Sequence, residues 1–407
     1  MGLFMFTIII AHRWQMQEIA YFESFSIFQY ILFFSWLPAW GIVILRQGSR
    51  ESVISQKSFL FSAVVSGLLV VLVLFTILIL GRLLFLPWDF LSGTEALNML
   101  IAVMTYFITQ ALVYIFYLNS KTKAQWLFIL VQGLSWILIS IASRSVHSYL
   151  IWTNITSVIA LGLFSAHLRF DQVIFNKGFW HEVSHYALYL SLGAATLIMA
   201  AYYVQHHFGL GDQLTWYRYG TRELPVLPAL IAGFGQAYLV GNNQQAAPVA
   251  PSMQSGIAFY LKVLILPLMI LIYFAQPIFT FVYSSKFGPA AGLMSAYLLI
   301  YIPRMIPCPA LLQLYDERKA LLWISLAEFV FIAVALWIFG DLGLGMIVII
   351  LISGTVLERL LQIAVLKIRH QIRIGDYIPL NWYMYWSFAL FITFILSRVL
   401  PWSTMPN

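Results

Sequence analysis

Residues 58–86 read SFLFSAVVSGLLVVLVLFTILILGRLLFL, an apolar run whose single charged residue is Arg82. A membrane-spanning helix needs about 20 consecutive apolar residues, and this run exceeds that length. Similar runs fill the 407-residue chain, of which 62% is hydrophobic and 9% charged, whereas a soluble domain has roughly 25% charged residues. A bilayer admits such a chain if each crossing is a helix that satisfies its own backbone hydrogen bonds. The sequence therefore predicts an all-α polytopic membrane protein.

About thirteen transmembrane helices are predicted from these apolar runs. No strand pattern competes, because the runs are longer than the roughly 9–11 residues of a membrane strand and do not alternate. The first run has only half the length of a crossing, so we expect residues upstream of Met1 to complete it. A signal peptide is the alternative, although no basic segment precedes the run. The predicted helices cover residues 1–11, 22–45, 58–86, 95–118, 124–142, 148–168, 181–204, 223–241, 257–283, 289–314, 320–340, 343–367 and 381–401.

Basic residues in the short loops indicate the orientation of the chain, since Lys and Arg are enriched in cytoplasmic loops. Loops after even-numbered helices hold twelve basic residues, and the opposite loops hold six. This asymmetry places the N-terminus in the cytoplasm and the tail after Trp402 outside. Trp and Tyr near helix ends, including Trp36, Trp40, Trp126 and Trp382, are predicted to be interfacial anchors. The twelve basic residues are Arg46, Arg50, Lys57, Lys121, Lys123, Arg169, Lys177, Arg318, Lys319, Lys367, Arg369 and Arg373.

The polar segment 169–180 divides twelve of the predicted helices into equal sets. Two similar halves that face a cavity near the bilayer midplane are the common architecture of secondary transporters. We therefore predict two six-helix lobes around a central cavity, at residues 1–170 and 171–370. Residues 371–407 are predicted to form an additional transmembrane helix and tail.

Charged residues inside predicted helices are candidate functional residues, because a charge in a bilayer needs a partner or a wet cavity. Arg304 lies near the middle of its apolar run, where it could contact a ligand or pair with an acid. Pro303, Pro307 and Pro309 surround it and predict a bent helix. Lys262 lies one to two turns from the cytoplasmic end of its helix, so its side chain could reach the interface.

Three further charged residues lie in the two predicted helices that follow Arg304. Glu328 lies in helix 320–340, and the neighbours Glu358 and Arg359 lie in helix 343–367. Adjacent residues on a helix point about 100° apart. We therefore expect that Glu358 and Arg359 do not pair with each other and that at least one of them reaches another helix. A salt bridge between helices is the structural alternative to a functional role for this pair.

The external loop before the eighth predicted helix reads YRYGTRELP over residues 217–225. Pro225 suits the first turn of the following helix. Arg222 at this helix end could bind an anionic head group, or it could pair with Glu223 or a lipid phosphate.

Other site classes find little support in the sequence. The single cysteine, Cys308, excludes a disulfide framework or a cysteine metal cluster, and the scattered basic residues argue against nucleic-acid binding. Residues 181–185 read HEVSH, a formal match to the zinc-protease motif, but no third ligand follows, so chance occurrence is favoured and no metal is expected. No phosphate-binding glycine loop or nucleophile elbow is present, and no cofactor is expected.

Three segments resemble those of lipid-linked polysaccharide flippases. YRYGTRELP at 217–225 resembles their YxYGARELP segment, with Thr221 where Ala is usual. The block 21–41, with FESF at 22–25 and WLPAWG at 36–41, resembles their second helix, and ERLL at 358–361 resembles their twelfth. The short first helix departs from the family pattern. The chain is thus similar to the polysaccharide or O-antigen flippase family of the multidrug/oligosaccharidyl-lipid/polysaccharide exporter superfamily.

This resemblance implies a MATE-like fold of two lobes in the bacterial inner membrane. It also implies a function: an oligosaccharide on polyprenyl pyrophosphate is turned from the inner to the outer leaflet for lipopolysaccharide or exopolysaccharide assembly. Flipping breaks no bond, so no catalytic residues are expected and the chain is not predicted to be an enzyme. The implied partners are the lipid-linked oligosaccharide, membrane lipids, a glycan polymerase and glycosyltransferases.

The candidate residues are assigned to roles on this basis, since a cavity arginine can neutralise a pyrophosphate. Asn98, Gln110 and Gln132 could line the path of the sugar. A multidrug or cation antiporter of the same fold is the alternative, followed by a polytopic membrane enzyme of glycan assembly or proteolysis. The substrate-binding candidates are Arg304, Lys262, Arg222 and Arg359, and the ion-coupling candidates are Glu358, Glu328 and Glu223.

Overall fold

The chain divides into two compact units, described here from a computed structural model. Unit 1 comprises residues 1–194 and 210–212, and unit 2 comprises residues 195–209 and 213–407. All regular elements in the described residues are helices. The predicted lobe boundary near residue 170 lies outside the described residues. The structure describes residues 2–33, 36–48, 53–85, 93–118, 122–164, 177–222, 227, 251–315 and 317–399.

The described part of unit 1 contains seven helices and the first part of an eighth. The eighth, α8 (Lys177–Phe208), begins in unit 1 and ends in unit 2. The seven are α1 (Gly2–Arg13), α2 (Met16–Phe33), α3 (Leu37–Gly48), α4 (Val53–Phe85), α5 (Gly93–Leu118), α6 (Thr122–Ala142) and α7 (Val146–Phe164).

Unit 2 contains the end of α8 and ten further helices in its described part. Three short 3₁₀ segments, Ser285–Phe287, Leu298–Ile300 and Gly340–Leu342, join some of them. The ten are α9 (Asp212–Gly220), α10 (Pro251–Tyr273), α11 (Ala275–Tyr283), α12 (Gly288–Tyr297), α13 (Tyr301–Arg304), α14 (Cys308–Leu314), α15 (Arg318–Phe339), α16 (Leu344–His370), α17 (Ile374–Tyr377) and α18 (Leu380–Val399).

Many of these helices are long and apolar enough to cross a membrane. Seven described spans meet this criterion, and α2 with the start of α3, bent by 45°, makes an eighth if the two helices form one crossing. The predicted helix 223–241 lies outside the described residues, apart from Leu227. The seven spans are Ser58–Leu78, Ala96–Phe116, Gln254–Tyr273, Ser285–Leu314, Lys319–Leu342, Leu344–His370 and Leu380–Val399.

Prolines interrupt three helices that the apolar runs predicted as continuous. Pro38 lies in the first turn of α3, where a missing N–H is tolerated, and the predicted helix 22–45 is divided there. Pro277 cannot donate to the carbonyl of Tyr273, and the predicted helix 257–283 breaks at Phe274. The helix around Arg304 is interrupted, because α13 ends at Arg304 and α14 starts at Cys308.

Aromatic side chains form much of the core of unit 1. The Phe6 ring lies 5.0 Å from the rings of Phe22 and Tyr149, and Trp14 lies 6.2 Å from Phe22. The indole N–H of Trp14 donates to the Ser143 carbonyl at 2.9 Å. These contacts hold the short α1 against α2, α6 and α7.

Two tryptophans correct the prediction of interfacial anchors. Trp36 and Trp40 are buried in unit 1, and the Trp40 ring lies 5.0 Å from that of Phe107. The Trp40 indole N–H donates to the Ala63 carbonyl, which satisfies the polar end of the ring inside the core. Trp126 and Trp382, by contrast, are exposed, as an anchor must be.

In unit 2, α15 packs along α16, and the C-terminal helix α18 packs along α10. Gly354 permits the close approach of α16 to α15, because a Cβ atom there would lie 2.5 Å from Cδ1 of Ile332. Near the other end of α18, Arg398 donates to the Gly292 carbonyl of α12 at 2.6 Å. The additional C-terminal helix is therefore an integral part of unit 2.

Candidate functional site

A group of charged side chains lies inside unit 2, on α13, α15 and α16. Glu328 of α15 is buried, with 6% of its surface exposed. The charges that act on its carboxyl group are those of Glu358, Arg359 and Arg304. The fold thus brings together four of the predicted site residues from three separate helices. We call Arg304, Glu328, Glu358 and Arg359 the charge cluster.

The geometry of α15 and α16 explains how Glu328 reaches the cluster. Cγ of Glu328 lies 3.6 Å from the position that a Cβ atom would take on Gly354. Gly354 and Glu358 are one helical turn apart, so they lie on the same face of α16. A glycine one turn before Glu358 therefore admits the Glu328 side chain next to it.

Glu358 and Arg359 pair with each other, which corrects the expectation that neighbours on a helix cannot do so. Nη1 of Arg359 lies 3.1 Å from Oε2 of Glu358. The same Nη1 donates to Oε1 of Gln362 at 2.6 Å, and Nε2 of Gln362 donates to Oε1 of Glu358 at 2.8 Å. Their Cβ atoms diverge as predicted, but both long side chains turn toward the fully buried Gln362. Gln362 lies four residues after Glu358 and three after Arg359, so it neighbours both on the helix surface.

Arg304 stands at the C-terminal end of α13, a half-buried position where the prolines interrupt the helix. The α13 segment packs against α16, which carries the Glu358–Arg359 pair.

Tyr383 completes the hydrogen bonding of this broken helix. The amide of Ile306 donates to the Pro303 carbonyl at 3.2 Å, so the Ile302 carbonyl does not receive its usual helical partner. The Tyr383 hydroxyl of α18 donates to that carbonyl at 2.9 Å. Beside it, Cys308 Sγ and the Tyr377 hydroxyl lie 3.4 Å apart and are buried. Sequence reasoning missed Tyr383 and Gln362, although each is a polar residue in an apolar helix.

Lys262 is not among the charges that act on Glu328. It lies on the exposed side of α10, and its Nζ atom lies 4.9 Å from the ring centroid of Trp382 on α18. The predicted cluster of substrate-binding cations therefore separates into at least two places within unit 2.

Arg222 belongs to the segment that resembles a flippase motif, and that segment packs into unit 2. Cζ of Arg222 lies 4.8 Å from the Tyr219 ring, and its amide donates to the Tyr219 carbonyl at 3.4 Å. The Tyr219 ring in turn lies 4.4 Å from that of Phe287. Burial raises the pKa of Tyr217 on the same helix, so this phenol stays protonated. Glu223 lies outside the described residues.

Gly220 and Thr221 explain the local form of this motif. A Cβ atom on Gly220 would lie 2.7 Å from Cβ of Leu293 and 2.8 Å from the Ala290 carbonyl oxygen, so α9 approaches α12 closely. The Thr221 hydroxyl donates to the Tyr217 carbonyl at 2.8 Å and closes the last turn of α9. The aromatic and glycine positions of the motif thus have a packing role.

Unit 1 contains a buried acid that sequence reasoning quoted only as part of a motif. Glu23 of α2 has 0% of its surface exposed, and the adjacent Ser24 is equally buried. The available signal was that Glu23 is the single acid of the predicted helix 22–45. The predicted sugar-path residues Asn98, Gln110 and Gln132 are all partly exposed, and the Asn98 carbonyl accepts a hydrogen bond from Asn154.

The HEVSH segment lies at the start of α8. Oε2 of Glu182 accepts a hydrogen bond from Nε2 of Gln47 at 2.7 Å, an interaction within unit 1. Within the described part of the chain, no group of three or more His, Cys, Asp or Glu side chains is arranged to hold a metal ion.

Comparison with known proteins identifies the fold. Neither protein-family models nor curated proteins match the sequence. Among solved structures, the chain is similar to the lipid II flippase MurJ in an inward closed conformation, with a TM-score of 0.74 and 15% identity over 100% of this chain and 91% of that one. It is also similar to an inward-facing multidrug resistance MATE family transporter of the MOP superfamily, with a TM-score of 0.59 and 16% identity over 96% and 95%.

These similarities confirm the predicted class of an all-α polytopic membrane protein. At 15% and 16% identity they show the fold alone. The chain is thus a multi-pass membrane protein whose fold occurs in a flippase and in a drug transporter.

Proposed function

We propose that the chain is a flippase that moves an oligosaccharide linked to polyprenyl pyrophosphate across the bacterial inner membrane. The observation that carries this proposal is the charge cluster, which lies around the buried Glu328 in unit 2 of a fold that a lipid II flippase shares over the full length of this chain. The product would serve the assembly of a cell-surface polysaccharide. The proposed partners are a glycan polymerase and glycosyltransferases.

The chemistry of the cluster suits an anionic carrier. A guanidinium group presents N–H donors in a planar fork that can bind two phosphate oxygens at once. Arg359 is held by Glu358 and Gln362, whereas Arg304 is half-buried at the end of α13, where the prolines interrupt the helix. Arg304 is therefore the proposed contact for the pyrophosphate, and Arg359 is a second contact that Glu358 can release.

The acids of the cluster have a complementary role in this proposal. The charges of both arginines act on Glu328, and Glu358 pairs with Arg359, so the arrival of a phosphate would change the charge around both acids. Both are proposed sites of ion coupling. Glu223, which lies outside the described residues, stays a predicted ion-coupling residue. Lys262 and Arg222 lie apart from the cluster and stay predictions as additional phosphate contacts. Amide side chains at Asn98, Gln110 and Gln132 would bind sugar hydroxyl groups.

A multidrug or cation antiporter is the second candidate function. The similarity to a MATE family transporter supports it, as do the two acids of the charge cluster, which could bind a cationic drug or a coupling ion. The two candidates differ in the charge of the substrate: the flippase binds an anion at arginine, and the antiporter binds a cation at glutamate.

Complementation separates the two functions. The wild-type chain is expressed in its native host after deletion of its own gene, and two readouts are taken: surface glycan and resistance to cationic drugs. The flippase proposal expects restored surface glycan and unchanged resistance. Restored resistance without any effect on the glycan would support the antiporter and contradict the flippase.

A further inference from the structure

Lys262 is a cation on an apolar surface. It lies inside the apolar span Gln254–Tyr273, and its side chain is exposed on unit 2. Its neighbours on α10 include Phe259, which is 70% exposed, and Leu266, which is 61% exposed. We expect such a surface to face acyl chains in a bilayer, because a contiguous exposed apolar patch is typical of a protein or membrane contact.

The ammonium group of Lys262 lies over the aromatic ring of Trp382. Its Nζ atom lies 4.9 Å from the centroid of the Trp382 ring, a cation–π distance. The Trp382 ring in turn stacks on the Trp386 ring, with 6.4 Å between the ring centroids, and this contact helps to fix its orientation. Among the described residues, no carboxylate forms an ion pair with Lys262. The ring attracts the ammonium group but leaves N–H donors for another ligand.

The aromatic residues at the start of α18 indicate the depth of this group. Trp382 and Tyr385 are both exposed and lie within the first two turns, as residues of an interfacial belt do. Just before α18, Lys367, Arg369 and Arg373 are exposed at the end of α16 and the loop that follows, where the basic residues predict the cytoplasmic side. The Lys262 side chain can therefore place its charge at the level of the cytoplasmic head groups.

We propose that Lys262 and Trp382 form a binding site for the phosphate of an anionic phospholipid in the cytoplasmic leaflet. A lipid phosphate is the negative group available at that depth, and it supplies the counter-charge that the lysine lacks among the described residues. The neighbouring exposed side chains Phe259 and Phe388 would contact the acyl chains of the same lipid. This site does not depend on the proposed function, because a structural lipid is needed equally by a flippase and an antiporter.

Native mass spectrometry of the purified full chain tests the site. The protein is titrated with phosphatidylglycerol or with phosphatidylcholine of the same acyl chains, and the retention of each lipid is measured. We expect Lys262→Ala to reduce the preference for phosphatidylglycerol about fivefold, the effect of one lysine near an anionic surface. Lys262→Arg should keep the preference, and Trp382→Leu should reduce it.

Lys319→Ala is the matched control, because Lys319 is an exposed lysine at the start of another span. It should change the lipid preference less than Lys262→Ala does, because a built site adds to the general attraction of surface charge. An equal effect of Lys262→Ala and Lys319→Ala would overturn the site, as general surface charge would then explain it. The thermal stability of each variant is first measured in phosphatidylcholine, and lipid retention is compared only between variants as stable as the wild type. If Lys262→Ala is unstable, the test uses Trp382→Leu against Lys262→Arg, which keeps the positive charge.

A different result would assign Lys262 to the transported lipid. If Lys262→Ala abolishes surface glycan while phosphatidylglycerol retention stays at the wild-type level, the phospholipid site is wrong and the proposed flippase stands. If retention falls and surface glycan is unchanged, the phospholipid site is supported without any bearing on transport.

Discussion

Arg359 and Glu358 are adjacent in the sequence and form an ion pair, with Nη1 of the arginine 3.1 Å from Oε2 of the glutamate. Gln362 bonds to both members of the pair from the next turn of the same helix. The charge of Arg359 is therefore compensated within α16. Arg304 stands on a different helix, at the proline-interrupted end of α13, and it is the proposed contact for an anionic substrate.

Gln362 is predicted to stabilise the folded protein through this pair. Replacing Gln362 with leucine keeps a similar volume but removes both hydrogen bonds to charged groups, which should cost about 1–3 kcal/mol. The thermal midpoint of the purified protein in detergent should fall. Gln213→Leu, at an exposed position, serves as the control and should leave the midpoint unchanged. Equal midpoints for the two variants would mean that Gln362 does not support the pair.

Arg304 is predicted to be required for transport and not for folding. Arg304→Ala should abolish surface glycan at normal membrane abundance, because the pyrophosphate loses its cationic contact. Arg304→Lys should restore display only in part, since an ammonium group keeps the charge but loses the planar fork. Both variants are measured by glycan staining and by immunoblotting of membranes.

The double variants Arg304→Ala with Glu328→Gln or Glu358→Gln distinguish a structural role. If Arg304→Ala lowers abundance and a second change restores it, Arg304 is half of a salt bridge. The substrate contact would then pass to Arg359, Lys262 or Arg222. If Arg304→Ala shows normal surface glycan at normal membrane abundance, Arg304 is neither a substrate contact nor half of a required salt bridge.

Gly220 is predicted to be required for the packing of α9 on α12. Gly220→Ala places a Cβ atom 2.7 Å from Cβ of Leu293, and the neighbouring Ala290 carbonyl belongs to the backbone and cannot turn away. Such overpacking should cost about 1–3 kcal/mol. Gly211→Ala is the control, because no atom lies within 4 Å of its added Cβ. A thermal midpoint of Gly220→Ala equal to that of Gly211→Ala would contradict this account of the motif.

The two ends of α16 are predicted to lie on opposite sides of the membrane. The helix has 27 residues, and at about 1.5 Å per residue it is long enough to cross. Leu342→Cys and Ile368→Cys place thiols at positions that are 69% and 73% exposed, while the native Cys308 is buried. A membrane-impermeant maleimide should label the first in spheroplasts and the second only after permeabilisation. The reverse pattern would invert the orientation derived from the basic loops.

Much of the fold could be predicted from the apolar runs, because a bilayer requires each crossing to be a helix. The predicted helix 343–367 corresponds to α16 over residues 344–370, and the prolines around Arg304 indicated the break between α13 and α14. The short α9 and α17 were missed, since nine and four residues are too few to show a membrane pattern.

The candidate site was only partly predictable. A charge in an apolar helix is visible in the sequence, so Arg304, Glu328, Glu358 and Arg359 were all found. The Glu358–Arg359 pair was not, because helical periodicity describes the direction of Cβ atoms and not the reach of long side chains. Trp36 and Trp40 were misassigned for a similar reason: position near a helix end does not show which face is buried.

The most direct test of the central claim is a flipping assay with purified protein in vesicles. The substrate is a fluorescent oligosaccharide on polyprenyl pyrophosphate, placed in both leaflets, and a membrane-impermeant reagent quenches the outer pool. We predict that the wild-type chain exposes the inner pool to the quencher and that Arg304→Ala, incorporated to the same level, does not. Quenching by wild-type vesicles that is no greater than that of protein-free vesicles would contradict the proposal that this protein is a flippase.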